Sequence, residues 1–286
     1  MIIVTGASGQ LGQAIVEQLL QRIPASQLGV SVRRSEQVLA LHERGVRVRQ
    51  GDFEDAASLR HAFAGASQVL IVSAATTGGA AVRQHRAAIE AARAAGAARI
   101  LYTSHMGENP ASAFAPMVDH AATEALLQTS GVAFTSLRNG FYAASALMLM
   151  GHAFETGKLV APEDGPVSWT AHADLAQAAA IALTEKGLVT GLTPPLTGAE
   201  ALDLADLAAI ASELTGRPIQ RITVTDDEFR SGLVSHGIPE PRADLLVGLF
   251  VASRQREFAA VDSTLQRLLG RPPISMREVL ATHIAR

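Results

Sequence analysis

The sequence predicts an α/β protein: a doubly wound parallel sheet over residues 1–148, followed by a smaller C-terminal α+β domain over residues 149–286. Three observations carry that prediction. Short β-branched runs alternate with longer alanine-rich stretches through the first half. A glycine-rich turn follows the first apolar run directly and opens the first helix. Past residue 148 the alternation gives way to Gly- and Pro-rich chain and small helices.

Taken in order, strands are expected at Ile2–Thr5, Leu28–Val32, Val46–Gln50, Gln68–Val72, Arg99–Thr103 and Ala133–Arg138. The helices between them should span Gln10–Arg22, Ser35–Arg44, Asp55–Phe63, Ala80–Ala95 and Pro116–Thr129. Ser35 and Asp55 read as N-caps, and Gly45 and Gly96 as left-handed C-terminal stops. Gly151 to Pro166 is rich in Gly and Pro, where the pattern changes. The helical stretch Asp174–Thr184 and the strand-like Pro195–Thr197 are expected to pack back on the sheet, so residues 170–198 rejoin the first domain. Leu204–Thr215, Asp226–Ser235 and Arg242–Phe258 read as small helices of the second. In such a sheet, ligands bind beyond the carboxyl ends of the strands.

The most informative residues are Thr5-Gly6-Ala7-Ser8-Gly9-Gln10-Leu11-Gly12. Gly6 permits a tight turn, Gly9 lets the backbone approach a pyrophosphate, and Gly12 allows close helix–strand packing, while the helix N-terminus offers free N–H groups. This is the phosphate-binding turn of a Rossmann-type dinucleotide domain, spaced G-x-x-G-x-x-G. The second strand ends in Val32-Arg33-Arg34 with no acid before Glu36. An acid there would hydrogen-bond a ribose 2′-hydroxyl, whereas an arginine fork suits a 2′-phosphate, so Arg33 predicts NADPH over NADH. Asp52 and Phe53 follow the third strand, where they could flank an adenine or serve as a cap and a core residue. Ser73, Ala74 and Ala75 supply small side chains where the chain passes the cofactor.

Composition excludes several functions. There is no cysteine, hence no disulfide or thiolate chemistry, and no His/Asp/Glu cluster has metal-ligand spacing. The net charge of −3 without a basic run argues against nucleic acid. No apolar run reaches the roughly 18 residues a membrane span needs, and nothing reads as a signal peptide, so a cytoplasmic protein is expected. Of 24 basic residues only Lys158 and Lys186 are lysines. Four residues beyond the two tyrosines, Tyr102 and Tyr142, stand Met106 and Ala146, so the Tyr-x-x-x-Lys proton relay of most short-chain reductases is missing.

The turn, Val32-Arg33, Arg49-Gln50-Gly51-Asp52-Phe53, Leu137-Arg138-Asn139-Gly140-Phe141-Tyr142 and the tail segments Gly237–Pro241 and Leu265–Pro272 resemble the NmrA-like atypical short-chain reductases. Within them the chain is similar to the bacterial type-2 NAD(P)H:quinone oxidoreductases and the triphenylmethane reductases. The resemblance implies an NADPH-binding Rossmann domain and a cleft where a small aromatic acceptor meets the nicotinamide. It would assign Gly6, Ser8, Gly9, Gln10, Leu11 and Gly12 to the pyrophosphate, Arg33 to the 2′-phosphate, Ser73 to Ala75 to the nicotinamide ribose, and Arg138 and Asn139 to the cofactor. Phe141 and Tyr142 would lie beside the acceptor.

A quinone or cationic dye is a strong hydride acceptor whose product is a weak base, and a weak base gains little from a positioned acid. Missing a Tyr-Lys pair therefore fits an NADPH-dependent reductase of such acceptors, working as a monomer or homodimer by proximity and orientation. His105, Asn139 and Tyr142 are the candidate catalytic groups, and His105 also a substrate contact. Met148 and Met150 are candidate cleft walls. His120 and Glu124, four apart on one helix face, could polarise a carbonyl or pass a proton, but are expected instead to hydrogen-bond each other at the surface. The alternative is an NmrA-like NADP(H) sensor that binds the cofactor without turnover.

Overall fold

The computed structural model describes residues 1–185 and 187–285; Lys186 and Arg286 lie outside the described residues. The first half runs β1 (Ile2–Thr5), α1 (Gln10–Leu20), β2 (Leu28–Val32), α2 (Leu39–Glu43), β3 (Arg47–Gln50), α3 (Ala56–Phe63), β4 (Gln68–Ile71), α4 (Gly79–Ala94), β5 (Arg99–His105), α5 (Ala115–Gln128) and β6 (Ala133–Asn139). The chain continues through β7 (Phe141–Tyr142), α6 (Ala143–Met150), α7 (Ala153–Thr156), β8 (Lys158–Pro162), β9 (Trp169–Thr170), α8 (His172–Thr184), β10 (Gly191–Leu192), α9 (Leu204–Thr215), β11 (Gln220–Val224), α10 (Asp226–Ser235), α11 (Glu240–Arg254), α12 (Thr264–Leu269) and α13 (Met276–Ile284).

Seven strands form one parallel sheet in the order β10-β6-β5-β4-β1-β2-β3. Its two faces follow from the strand period of two. In β1, Ile2 and Val4 face a layer with Leu11, Ile15 and Leu19 of α1 and Leu175 and Ala179 of α8. Ile3 faces the opposite layer with Phe63 of α3, Ile89 of α4 and Leu127 of α5. Both faces are covered, so β1 reads as an unbroken apolar run rather than an alternating one. A separate apolar cluster joins α6, β8, α9 and α11 around Phe141, Trp169, Phe250 and Phe258. The strand order reverses between β1 and β4, and Thr5 Oγ1 accepts from Val72 N at 2.9 Å across that switch point.

Three expectations are corrected. Ser35 caps nothing: its segment forms a 3-10 turn over Ser35–Val38, and the α-helix begins only at Leu39. Within the Gly- and Pro-rich stretch, Gly157, in the left-handed conformation, ends α7 and releases the chain into β8. Pro195–Thr197 adds only a bridge from Leu196 to Asn139, since two prolines remove ladder donors; the edge strand is Gly191–Leu192. The last large helix runs Glu240–Arg254, started by Pro241 in its first turn, and leaves Phe258 free to enter the aromatic cluster.

Candidate functional site: the switch-point turn and the cleft beside it

The turn between β1 and α1 has the geometry its glycines require. Gly6 sits at φ +63°, and Gly9 N donates to Gly6 O at 3.0 Å. A Cβ on Gly12 would stand 2.2 Å from Gly6 O, so no side chain fits there. Gly9 caps α1 without a side-chain bond, which leaves the first N–H groups of the helix for a ligand. Ser8, Gly9 and Gln10 are exposed, while Leu11 and Gly12 are buried. This cradle fits a pyrophosphate.

Arg33 lies exposed just beyond β2. Half-buried Asp52 turns its Oδ1 onto Glu54 N at 3.0 Å, while Asp55 caps α3 through Ala57 N and Ser58 N. Phe53 lines a hollow of about 320 Å³ with Glu54, Ala80, Arg83 and Gln84.

The loop after β4 is fastened by three side chains. Ser73 N donates to Thr103 Oγ1 at 2.9 Å, Ala74 N to His85 Nε2 at 2.9 Å, and Gly78 N to Asp119 Oδ2 at 2.7 Å. A backbone N–H can only donate, so His85 Nε2 is unprotonated and Nδ1 carries the proton toward Thr123 Oγ1 at 2.8 Å. Burial pushes His85 down to about 4. It also raises Asp119, against the pull of the Gly78 N–H. Neither His85 nor Asp119 was anticipated as part of the site. A signal existed for His85: it shares the buried face of α4 with Ala81, Ala88 and Ala92, at helical spacing.

Behind this loop lies a chain of rings, Tyr102 and His105 buried and His120 half-buried. Tyr102 Oη shares a hydrogen bond with His120 Nδ1 at 2.8 Å, and His120 stacks on His105 with centroids 6.1 Å apart. His105 Nδ1 accepts from Gly107 N at 3.0 Å, and burial pushes this imidazole down to about 3. His120 is held well below its ordinary value, first by burial and then by the neighbouring His105 and His85. The expected His120–Glu124 pair is absent. Glu124 is buried and instead takes Arg138 in two bonds, Nη2 to Oε2 at 2.7 Å and Nε to Oε1 at 3.1 Å. β6 brings that guanidinium across, and a bidentate charge pair outcompetes an imidazole one turn away. Glu108 reaches the same Arg138 Nη2 at 2.5 Å, so the cofactor candidate Arg138 is engaged by two carboxylates.

At the carboxyl ends of β5 and β6, two buried polar atoms have no partner among the described residues: Ser104 Oγ and Asn139 Oδ1. Such orphans cost about 1–3 kcal/mol each and are expected where a ligand completes the structure. Beside them opens a cleft of about 970 Å³. Ala74 to Thr77 form its sheet end, and Phe141, Met148, Leu149, Phe229, Leu245 and Phe250 are among its walls. Met150 lines it too, and Met148 is 72% exposed to it and to solvent. His105, Asn139 and Tyr142 do not line it. Phe141 stands edge-on between them, 5.0 Å from His105, and Tyr142 packs on His172 at 4.4 Å. Burial raises the Tyr142 phenol, opposed by the Asn139 carboxamide. Among the described residues no group of three metal-ligating side chains occurs, and no helix is long and apolar enough to cross a membrane.

A parallel sheet whose switch point carries a glycine cradle under an uncapped helix defines a Rossmann-type dinucleotide-binding protein. The chain belongs to the NAD(P)H-binding family, whose profile matches residues 6–186. It is 35% identical over 281 residues to quinone oxidoreductase 2 of Escherichia coli, covering 97% of this chain and 96% of that protein. The crystal structure of the E. coli NADPH-dependent quinone oxidoreductase complexed with NADPH superimposes with a TM-score of 0.94, 34% identity and all of both chains covered. The Citrobacter sp. triphenylmethane reductase complexed with NADP(H) gives 0.91 and 32%, with 99% of each chain covered. The resemblance read from the sequence motifs is thereby borne out.

Proposed function

We propose that this protein is an NADPH-dependent reductase that transfers a hydride to a quinone or a similar electrophilic aromatic acceptor. The observation that carries the reading is the cleft: it is apolar, meets the cofactor-side loop at Ala74, and is lined by neither tyrosine. The full-length likeness to the quinone and triphenylmethane reductases supports it.

Gly6, Ser8, Gly9, Gln10, Leu11 and Gly12 would hold the pyrophosphate, Arg33 the 2′-phosphate, Asp52 and Phe53 the adenine side, and Ser73, Ala74, Ala75, Ser104 and Asn139 the nicotinamide side. When bound, the nicotinamide supplies the hydride. The chain's own part is to fix the loop Ser73–Gly78 through Thr103, His85 and Asp119, and to press an aromatic acceptor against that loop out of water. The acceptor gains two electrons with the hydride, and its proton comes from solvent. A hydroquinone anion is about as basic as a phenolate, with a pKa of roughly 10, so water protonates it without a dedicated acid. We take residues 1–148 with 170–198 as the dinucleotide domain and the rest of 149–286 as the substrate-cleft domain. The protein would act in the cytoplasm, as a monomer or homodimer, on a small aromatic molecule.

The test is NADPH oxidation with benzoquinone, naphthoquinone and malachite green. Acceptor-dependent oxidation is expected. Tight NADPH binding with no oxidation by any acceptor overturns the reading in favour of a cofactor sensor.

A further inference from the structure

The cleft is apolar but not electrically neutral. Its charged lining residues are Lys158, the first residue of β8, and Arg242, in the first turn of α11; His152 and His236 stand on the same lining, and among the described residues no carboxylate does. The acids nearest in sequence are already engaged. Glu240 and Asp244 flank Arg242 on α11, yet both pair with Arg230, at 3.0 and 2.6 Å. Asp226 pairs with Arg254 at 2.7 Å, and Glu155 meets His152 at 3.2 Å. Among the described residues neither Lys158 nor Arg242 has a carboxylate oxygen within 4.0 Å. The chain as a whole carries −3, so this positive lining is a local feature and not a consequence of overall charge.

Lys158 and Arg242 are both exposed where the apolar lining meets solvent, so each offers an anion a modest, salt-screened attraction, and the two add because, among the described residues, no carboxylate stands on the lining to offset them. An aromatic acceptor with a sulfonate or carboxylate group could bury its rings against Met148, Leu245 and Phe250 and set its charge on Lys158 or Arg242. A cationic ring system would face repulsion from both. We infer that the cleft selects anionic aromatic acceptors, quinones bearing a sulfonate or carboxylate, and that Lys158 and Arg242 are the specificity-determining residues. This rests on the reductase reading above. The substituent is a spectator: NADPH gives a hydride and becomes NADP⁺, the quinone takes the hydride and a solvent proton to become the hydroquinone, and the sulfonate leaves unchanged.

The experiment compares kcat/KM for a naphthoquinone sulfonate, the neutral parent naphthoquinone and malachite green, in the wild type, in Lys158→Gln/Arg242→Gln and in Lys158→Glu/Arg242→Glu. Calorimetric binding of naphthalenesulfonate, which cannot be reduced, runs alongside. The wild type is expected to favour the sulfonate over the neutral quinone. The ratio should fall about threefold for each charge removed and weaken with added salt. The double Glu variant should move preference toward malachite green. A wild-type ratio at or below one, or a ratio unmoved in the double Gln variant, overturns the inference while leaving the reductase reading standing. If no acceptor is reduced, the reductase reading fails, and naphthalenesulfonate still decides the charge question. Weaker binding to the double Gln variant supports the selective lining, and equal binding rejects it.

Discussion

Tyr102 Oη and His120 Nδ1 share a hydrogen bond at 2.8 Å, which ties β5 to α5 behind the cleft where the phenol is completely buried. Tyr102→Phe leaves that imidazole nitrogen without its hydrogen-bond partner and should cost about 1–3 kcal/mol. For a chain of this size that lowers Tm by roughly 2–4 °C per kcal/mol, measurable by thermal denaturation. Quinone turnover should fall by less than about tenfold, because the phenol is not on the cleft wall. A drop of a hundredfold with unchanged Tm would instead make it an acid in the reaction.

Arg33 is exposed at the end of β2, and no acid precedes Glu36 there. Arg33→Asp removes a charge-assisted bond to a 2′-phosphate and adds an acceptor for a 2′-hydroxyl. The ratio of kcat/KM for NADPH over NADH should drop by about ten- to a hundredfold. An unchanged ratio rejects the assignment.

Gly12→Ala puts a Cβ 2.2 Å from Gly6 O, and neither the helix nor the turn can yield without opening the cradle. NADPH affinity, read by calorimetry, should fall at least about tenfold, with a stability loss of about 1–3 kcal/mol from overpacking. Wild-type affinity in this variant would mean that the turn does not hold the pyrophosphate.

Arg138→Met leaves Glu124 buried beside Ser136 with no counter-charge. Breaking a buried pair on one side costs about 3–5 kcal/mol. A urea midpoint close to wild type would show that Glu124 finds water or a proton at little expense.

Acid should destabilise the protein through its buried imidazoles. His85 is pushed down to about 4 and His105 to about 3 from an ordinary value of 6.5. The unfolded chain therefore binds protons first as pH falls, and stability present above about 6.5 is lost progressively toward about 4 and 3. For His85 alone the full shift is worth on the order of 3 kcal/mol. Denaturation midpoints at about pH 8 and about pH 5 measure it, and equal midpoints would contradict neutral burial.

What the sequence determined by itself is whatever depends on neighbours within a few residues. The β1 run, the spacing of Gly6, Gly9 and Gly12, Asp55 as a cap and the left-handed stops at Gly45 and Gly96 are local chemistry, and each stands where it was read. The missing Tyr-Lys pair is equally a matter of spacing. Tertiary structure decided the rest, because partners distant in the chain compete and the better geometry wins. Glu124 had His120 one turn away, but β6 brought it Arg138. Tyr142 was adjacent to Phe141, yet a two-residue strand sends one ring toward the cleft and the other onto His172. His85 reached Ala74 only because α4 packs beneath the loop it follows. The charge of the cleft was the least legible of all: it depends on which acids Arg230 and Arg254 consume, and so on whether any carboxylate is left to pair with Lys158 and Arg242.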